Sequence, residues 1–223
     1  MSALPASEAW GRTPRQMVFL ARSFGRHALE LGNEIPERPL FFLKSVSALV
    51  GPGEPVRLPA ESAEVHHEAE VAVWVGAALT RATPEEAEGA IEGWTVLNDV
   101  TARDVQRADG GRFTRAKCFD TFCPLSPQVI SPAALGDWRA ARIQGWRSGA
   151  LVQDAPLSDM LYTPAEALSA ISQVMTLRPG DLVSLGTPAG VGPLAAGDSF
   201  EVRLVGAGGE VLVSLVSPVV RRG

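Results

Sequence analysis

The stretch His66–Gly76, HHEAEVAVWVG, reads as a β-strand, and the strand decides how the rest of the chain is organised. Side chains alternate between two faces in an extended chain, so Glu68 and Glu70 point to one face together. Val71, Val73 and Val75 follow on the alternate face. Val71, Ala72, Val73 and Trp74 together describe a largely buried strand. Two close carboxylates in such a place repel unless a cation lies between them. On a strand with one face in water, Glu-x-Glu carries no such demand.

Outward from this strand, Met17–Ala21 and Leu40–Lys44 are apolar runs of strand length, and Gly51, Pro52, Gly53 and Pro55 mark a turn. Between the two runs, residues 22–32 predict a short helix that Gly32 ends. Trp94–Val100 predicts a strand. Thr83-Pro-Glu-Glu86 and Thr163-Pro-Ala-Glu166 are capping boxes with proline at the first helical position. Behind the second, Leu168, Ile171, Val174 and Met175 form a helical stripe expected in the core. Thr101-Ala-Arg-Asp104 reads as a further helix start, which puts Asp99 where a strand ends and a helix begins. Residues 107–116 are polar and Gly-rich, as in a mobile surface loop. Strands are predicted near 127–130, 142–147 and 150–153, and again over 181–185, 199–205 and 210–220. The expected class is α+β and strand-dominated, with an irregular lead-in over residues 1–16 and a single domain over residues 17–223.

The 223 residues carry 46% hydrophobic and 20% charged side chains with net charge -5, an ordinary soluble composition. No basic run marks a nucleic-acid arm, so nucleic acid is excluded as a partner. No stretch of about 18 apolar residues forms a membrane span. Met1–Pro14 has no apolar signal core, which argues for the cytoplasm. An acidic protein that binds an acidic substrate needs local positive charge, and a bound cation supplies it. Cys118 and Cys123 are too far apart for a Cys-x-x-Cys pair and read as reduced thiols.

Other candidates are ambiguous by spacing alone. Asp99 is either a helix cap or a third carboxylate beside Glu68 and Glu70, and three carboxylates hold Mg²⁺ or Mn²⁺ with room for water and substrate. His27 and Glu30 fall on one helical face, as a general base with its carboxylate or as a surface pair. His66 and His67 read as structural residues at the strand entry. Lys117 either stabilises negative charge on an enolate or is a solvated lysine. Gly186–Gly192, GTPAGVG, lacks the Gly-Lys-Ser/Thr ending of a phosphate loop and reads as a tight turn with Thr187 facing a pocket.

Seven segments in order, namely His27–Glu30, Pro39–Lys44, His67–Glu70, Asn98–Gln106, Ala116–Asp120, Leu177–Asp181 and Gly186–Gly192, carry a resemblance over roughly residues 17–220. The sequence resembles the fumarylacetoacetate hydrolase family, and within it the small acylpyruvase and oxaloacetate decarboxylase branch. The resemblance implies a mixed β-roll of that family's C-terminal-domain type with short flanking helices, assembled as a homodimer. It implies Mg²⁺ or Mn²⁺ on Glu68, Glu70 and Asp99, and water activated by His27 with Glu30. It places Lys117 and Thr187 against substrate, with Gln106 and Lys44 as further pocket candidates.

The implied activity is hydrolysis of acylpyruvate-type 2-oxo acids, cleaving a carbon–carbon bond to leave pyruvate enolate, with oxaloacetate decarboxylation as a second reaction. One alternative is an isomerase or decarboxylase of 2-hydroxymuconate-type diacids, which needs a basic contact such as Arg22 or Arg115. Another is a non-catalytic β-rich binding module. The chain departs from the family pattern at Ser23 and Phe24, where asparagine and tyrosine are usual. Ser148-Gly149 stands for an Asn-Gly turn, and Ser126 for a glycine.

Overall fold

The computed structural model describes residues 13–25 and 36–221. Along the chain run β1 (Met17–Ala21), β2 (Leu40–Lys44), β3 (Leu49–Val50), β4 (Val56–Leu58), β5 (Val65–His67), β6 (Ala69–Val75), α1 (Pro84–Gly89), β7 (Ile91–Asn98), β8 (Thr101–Ala102), α2 (Arg103–Ala108), α3 (Thr114–Lys117), β9 (Cys123–Pro124), α4 (Pro132–Leu135), β10 (Arg142–Arg147), β11 (Ala150–Pro156), α5 (Pro164–Ser172), β12 (Leu182–Ser184), β13 (Gly192–Pro193), β14 (Ser199–Val205) and β15 (Val211–Arg221). The fold is strand-dominated α+β with short helices, as the residue pattern predicts. Residues 1–12 of the expected lead-in lie outside the described residues.

Two five-stranded mixed sheets carry the architecture, in the orders β2-β1-β12-β6-β7 and β11-β10-β14-β15-β4. Every residue of β6 is buried, because neighbours flank it on both edges and the other sheet packs nearby. Such a strand keeps apolar side chains on both faces, which is why Ala72 and Trp74 fill the positions between the alternating valines. Both capping boxes form as read, at Thr83 and Thr163.

Three pairings position the site. β6 and β7 run antiparallel with Ala69 opposite Asn98, so Glu68 and Asp99 meet just beyond the paired ends. Asp99 N–H donates to Glu68 O at 2.9 Å and closes that junction. β1 and β12 run parallel, so their C-terminal ends emerge together and deliver Arg22 and Thr187 to the same edge. β12 lies on the other side of β6, with Ser184 opposite Ala72.

Several expectations change. The single strand over residues 66–76 is interrupted at Glu68, whose N–H donates to Asn98 Oδ1 at 2.9 Å instead of a neighbouring strand. Residues 127–130 form no strand; only Ile130 bridges to Trp94, and Val129 presses against Gly93, where a Cβ would sit 2.4 Å from Val129 Cγ1. Val174 is 74% exposed rather than core, because α5 ends at Ser172 and the helical period stops with it. Residues 107–116 are not one loop. α2 runs to Ala108, Gly110 and Gly111 turn the chain with positive φ, and α3 begins at Thr114.

Candidate metal centre and cavity

Glu68, Glu70 and Asp99 converge, with ligand oxygens all within 4.8 Å of one another, and the two glutamates line one cavity. All three are buried, so the solvent-exposed reading of Glu-x-Glu does not hold, and Asp99 caps no helix. Asp99 is distant in sequence from the two glutamates, but the β6–β7 register makes it their neighbour.

A buried carboxylate must find donors or a counter-charge. Lys117, the last residue of α3, supplies one: its ammonium donates to Glu68 Oε2 at 2.8 Å, Asp99 Oδ2 at 2.5 Å and Thr101 Oγ1 at 2.7 Å. It is buried, not solvated. Burial works against its charge, but the Asp99 and Glu68 carboxylates outweigh that and raise its pKa above the ordinary lysine value. Lys44 donates to Asp99 Oδ1 at 2.5 Å and to Phe122 O at 2.7 Å. Arg103 pairs with Glu68 Oε1, and Ser184 Oγ donates to Glu70 Oε2 at 2.5 Å. Burial, then the charges of Asp99 and Glu68, push the Glu70 carboxyl well above the usual carboxylate range. Glu70 thus lacks the neutralisation that its neighbours receive. This donor set fits a hard divalent cation: oxygen ligands only, too little compensating charge at Glu70, and a lysine ammonium lodged among the carboxylates.

The cavity above measures about 490 Å³. Glu68, Glu70 and Lys117 line its floor; Arg22, Phe42, Arg103, Gln106, Arg107, Phe113 and Thr187 are among its other lining residues. Of the expected substrate contacts, Arg22, Gln106 and Thr187 therefore reach it. Lys44 does not line it, because its ammonium is spent on Asp99 and backbone oxygens. Arg115 pairs with Asp109 on the surface. His27 and Glu30 lie outside the described residues. Arg22 leaves β1 in the left-handed region at φ 56°, a conformation that side-chain-bearing residues adopt mainly where function or packing demands it.

Residues not singled out by the sequence also matter. Arg103 lies inside the quoted 98–106 segment, and Arg107 follows it by one helical turn on α2, which is the signal that would have found it. Phe113 stacks on Phe42 with ring centroids 4.5 Å apart, and the Lys117 ammonium lies over the Phe42 ring. Gln153 of β11 ties the two sheets together. Its Nε2 donates to Pro188 O at 3.0 Å and to Thr187 Oγ1 at 2.8 Å, and its Oε1 accepts from Ala69 N–H at 3.0 Å. A carbonyl only accepts, so the amide orientation is fixed, and His67 must carry its proton on Nδ1 to reach Gln153 Oε1 at 3.0 Å. Thr187 spends its own proton on Ala69 O at 2.9 Å. One lone pair remains, so Thr187 is left able to accept a further hydrogen bond but not to donate one.

The two departures after β1 are structural neighbours of this loop. Ser23 Oγ donates to Leu185 O at 2.5 Å, and Gly186 passes so close that a Cβ there would sit 1.9 Å from Ser23 Oγ. Phe24 is buried and bridges to Met160. Cys118 and Cys123 are free thiols, and burial pushes Cys123 up to about 12, so it is inert at neutral pH.

Known proteins resemble this chain over most of its length. Residues 16–220 match the family described as Fumarylacetoacetate (FAA) hydrolase C-terminal. Protein Rv2993c of Mycobacterium tuberculosis is 39% identical over 208 residues, 93% of this chain and 76% of that protein. Oxaloacetate tautomerase YcgM of Escherichia coli is 36% identical over 194 residues, 86% of this chain and 89% of that protein. Among solved structures, a 5-carboxymethyl-2-hydroxymuconate delta-isomerase from Mycobacterium smegmatis superimposes with TM-score 0.84 at 36% identity, covering 95% of this chain and 81% of its own. Fumarylpyruvate hydrolase from Pseudomonas aeruginosa, solved with Mn²⁺ and pyruvate, gives TM-score 0.85 at 29% identity, covering 94% and 91%. The chain belongs to the fumarylacetoacetate hydrolase family.

Proposed function

We propose that the protein is a Mg²⁺- or Mn²⁺-dependent enzyme that cleaves acylpyruvate-type 2-oxo acids between carbon atoms, releasing pyruvate. The observation that carries this reading is the convergence of the buried Glu68, Glu70 and Asp99, with a lysine ammonium among them and the two glutamates lining the cavity. A divalent ion held there would polarise the 2-oxo carbonyl as a Lewis acid. Arg103 and Gln106, which line the cavity, hold the substrate carboxylate end. His27, oriented by Glu30, takes a proton from water, whose oxygen adds to the distal carbonyl carbon. The carbon–carbon bond breaks, the acyl part leaves as a carboxylic acid, and its electron pair becomes the enolate of pyruvate. Lys117 faces that negative charge, and Thr187 accepts a proton-bearing oxygen. Arg22 lies on the wall where a second carboxylate of a diacid substrate would rest.

A second reading draws on the likeness to the oxaloacetate tautomerase. Removing a carboxylate of oxaloacetate as CO₂ leaves the same pyruvate enolate, and interconverting its keto and enol forms passes through the enolate of oxaloacetate itself; neither needs attacking water. The lone pair that Thr187 keeps for the cavity suits an enol hydroxyl.

Turnover of acetylpyruvate, oxaloacetate and a 2-oxo-heptenedioate, each with Mg²⁺ and with EDTA, tests the proposal. Mg²⁺-dependent pyruvate release from acetylpyruvate is the expected result. Activity on oxaloacetate alone favours the second reading, and activity on the heptenedioate alone favours the isomerase. A chain inert on all three sinks the enzyme reading. In the His27→Ala variant, hydrolysis should fall by about 10²–10⁴-fold while decarboxylation persists in part, because only hydrolysis needs activated water; equal loss of both contradicts that division. The same reading carries a homodimer, which light scattering on the purified chain checks.

A further inference from the structure

A bulge on β11 decides where Gln153 points. Trp146 of β10 pairs with Leu151 and Gly145 with Gln153, so Val152 is the extra residue. Bulges re-aim side chains, and this one turns Gln153 inward, toward β6 and the 186–192 turn. Gly145 leaves room for it, since a Cβ there would lie 3.1 Å from Gln153 Oε1. The turn is gripped from two sides. Gly186 passes against Ser23 with φ 88°, and Gly190, with φ 97°, runs so close to β11 that a Cβ would sit 2.2 Å from Val152 O. Within that grip the amide nitrogen of Gln153 is spent on Thr187 and Pro188, and its oxygen on Ala69 and His67. His67 is held in turn by stacking on Phe200 of β14, with ring centroids 4.3 Å apart. Gln153 and Thr187 are both buried, and of the two only Thr187 lines the cavity.

Resting on the functional reading above, we propose that Gln153 is a positioning residue of the reaction, acting from the second sheet through Thr187. A hydroxyl free to turn offers a hydrogen or a lone pair alike. Here Gln153 takes one lone pair of Thr187 Oγ1 and Ala69 O takes its hydrogen, so β11 and β6 together set the direction of the lone pair that is left. Thr187 so held favours a reacting oxygen that carries a hydrogen. Such orientation acts on the rate, and a misplacement of about 1 Å costs on the order of 10²-fold. The charged groups of the cavity hold the substrate whether or not Thr187 is aimed, so loss of the Gln153 bond falls on kcat and not on KM.

The test is steady-state kinetics with Mg²⁺ on whichever of acetylpyruvate, oxaloacetate and the 2-oxo-heptenedioate the parent turns over. The variants are Gln153→Met, Gln153→Glu, Thr187→Val and the double variant Gln153→Met with Thr187→Val. In Gln153→Met, kcat should fall by about 10- to 100-fold with KM little moved. In the Thr187→Val background the same change should cost nothing further, because the group it positions is gone. Gln153→Glu keeps the shape and the acceptor oxygen but has at most one hydrogen to give where Gln153 gives two. Its kcat should fall as well, and it decides the matter if Gln153→Met fails to fold. Losses in kcat that multiply in the double variant overturn the inference, as does a change confined to KM. A lowered melting temperature with kcat intact leaves Gln153 to the scaffold alone and also overturns it. These three outcomes spare the functional reading. A parent that turns over none of the three compounds overturns that reading and the inference with it.

Discussion

Two sets of ion pairs, one on the cavity floor and one on the second sheet, share contact distances and differ in everything else. On β14, Arg203 clasps Glu201 with Nε at 2.6 Å and Nη2 at 2.8 Å, the side chains 31% and 25% exposed. On the floor, Lys117 reaches Glu68 at 2.8 Å and Asp99 at 2.5 Å with almost no exposure on any of the three. Water and salt screen the first pair, whose net worth is about 0–1 kcal/mol. The second cluster is almost wholly removed from water, and its attraction mainly offsets that desolvation. A fold gains little by burying three carboxylates and three cations together. The cluster makes sense as a charged socket, kept for what binds there.

The largest expected effect breaks or upholds this contrast directly. Asp99→Ala should destabilise the metal-free chain by about 3–5 kcal/mol, because Lys44 and Lys117 lose their shared partner in a dry interior. Urea unfolding in EDTA measures it; a loss no larger than that of a surface pair would remove the distinction. Next in size is Glu70→Ala. Saturating Mn²⁺ at about 100 times its dissociation constant should stabilise the parent by about 2.7 kcal/mol. The variant should lose that gain, and a variant that still gains as the parent does would refute Glu70 as a ligand.

What the sequence disclosed follows the range of the interactions. β6 was legible because two-residue periodicity is local, and both helix caps because capping joins residues three apart. The acids were legible as types and spacing, but their meeting depends on the β6–β7 register, which only pairing sets and which the family resemblance supplied. Lys44 was a pocket candidate by the resemblance alone, which does not give how far its ammonium travels toward Asp99 and away from the cavity that Phe42 lines. Gln153 was hidden for another reason. A bulge on β11 between Leu151 and Gln153 breaks the two-residue period, so Leu151 is 45% exposed while the polar Gln153 is buried. His27 and Glu30 rest on the resemblance alone, since they lie outside the described residues.

His67 belongs to the buried side of the contrast, yet it is neutral. Burial, against the aid of its Gln153 bond, pulls its pKa from 6.5 down to about 4. A base whose folded pKa lies below its unfolded value stabilises the fold fully above pH 6.5. That contribution fades as pH falls from 6.5 toward 4, where the unfolded chain binds the extra proton. By pH 5 the loss is about 2 kcal/mol. His67→Asn should flatten that slope, as unfolding at pH 7.5 and pH 5 would register. An unchanged slope places the acid sensitivity elsewhere.

Glu201→Ala should have the smallest effect, and it sharpens the contrast from the surface side. Arg203 also lies over the Trp146 ring at 4.8 Å, so its position does not depend on Glu201 alone. Removing the carboxylate leaves Arg203 solvated and stacked, with no buried charge stranded. The expected loss is under about 1 kcal/mol and shrinks further at high salt. Urea unfolding at low and high salt measures both quantities. A loss approaching that of Asp99→Ala, or one indifferent to salt, would mean that β14 holds a desolvated pair after all. In that case burial of the floor cluster could no longer be read as a sign of function, because the fold would be using close ion pairs for stability on both of its sheets.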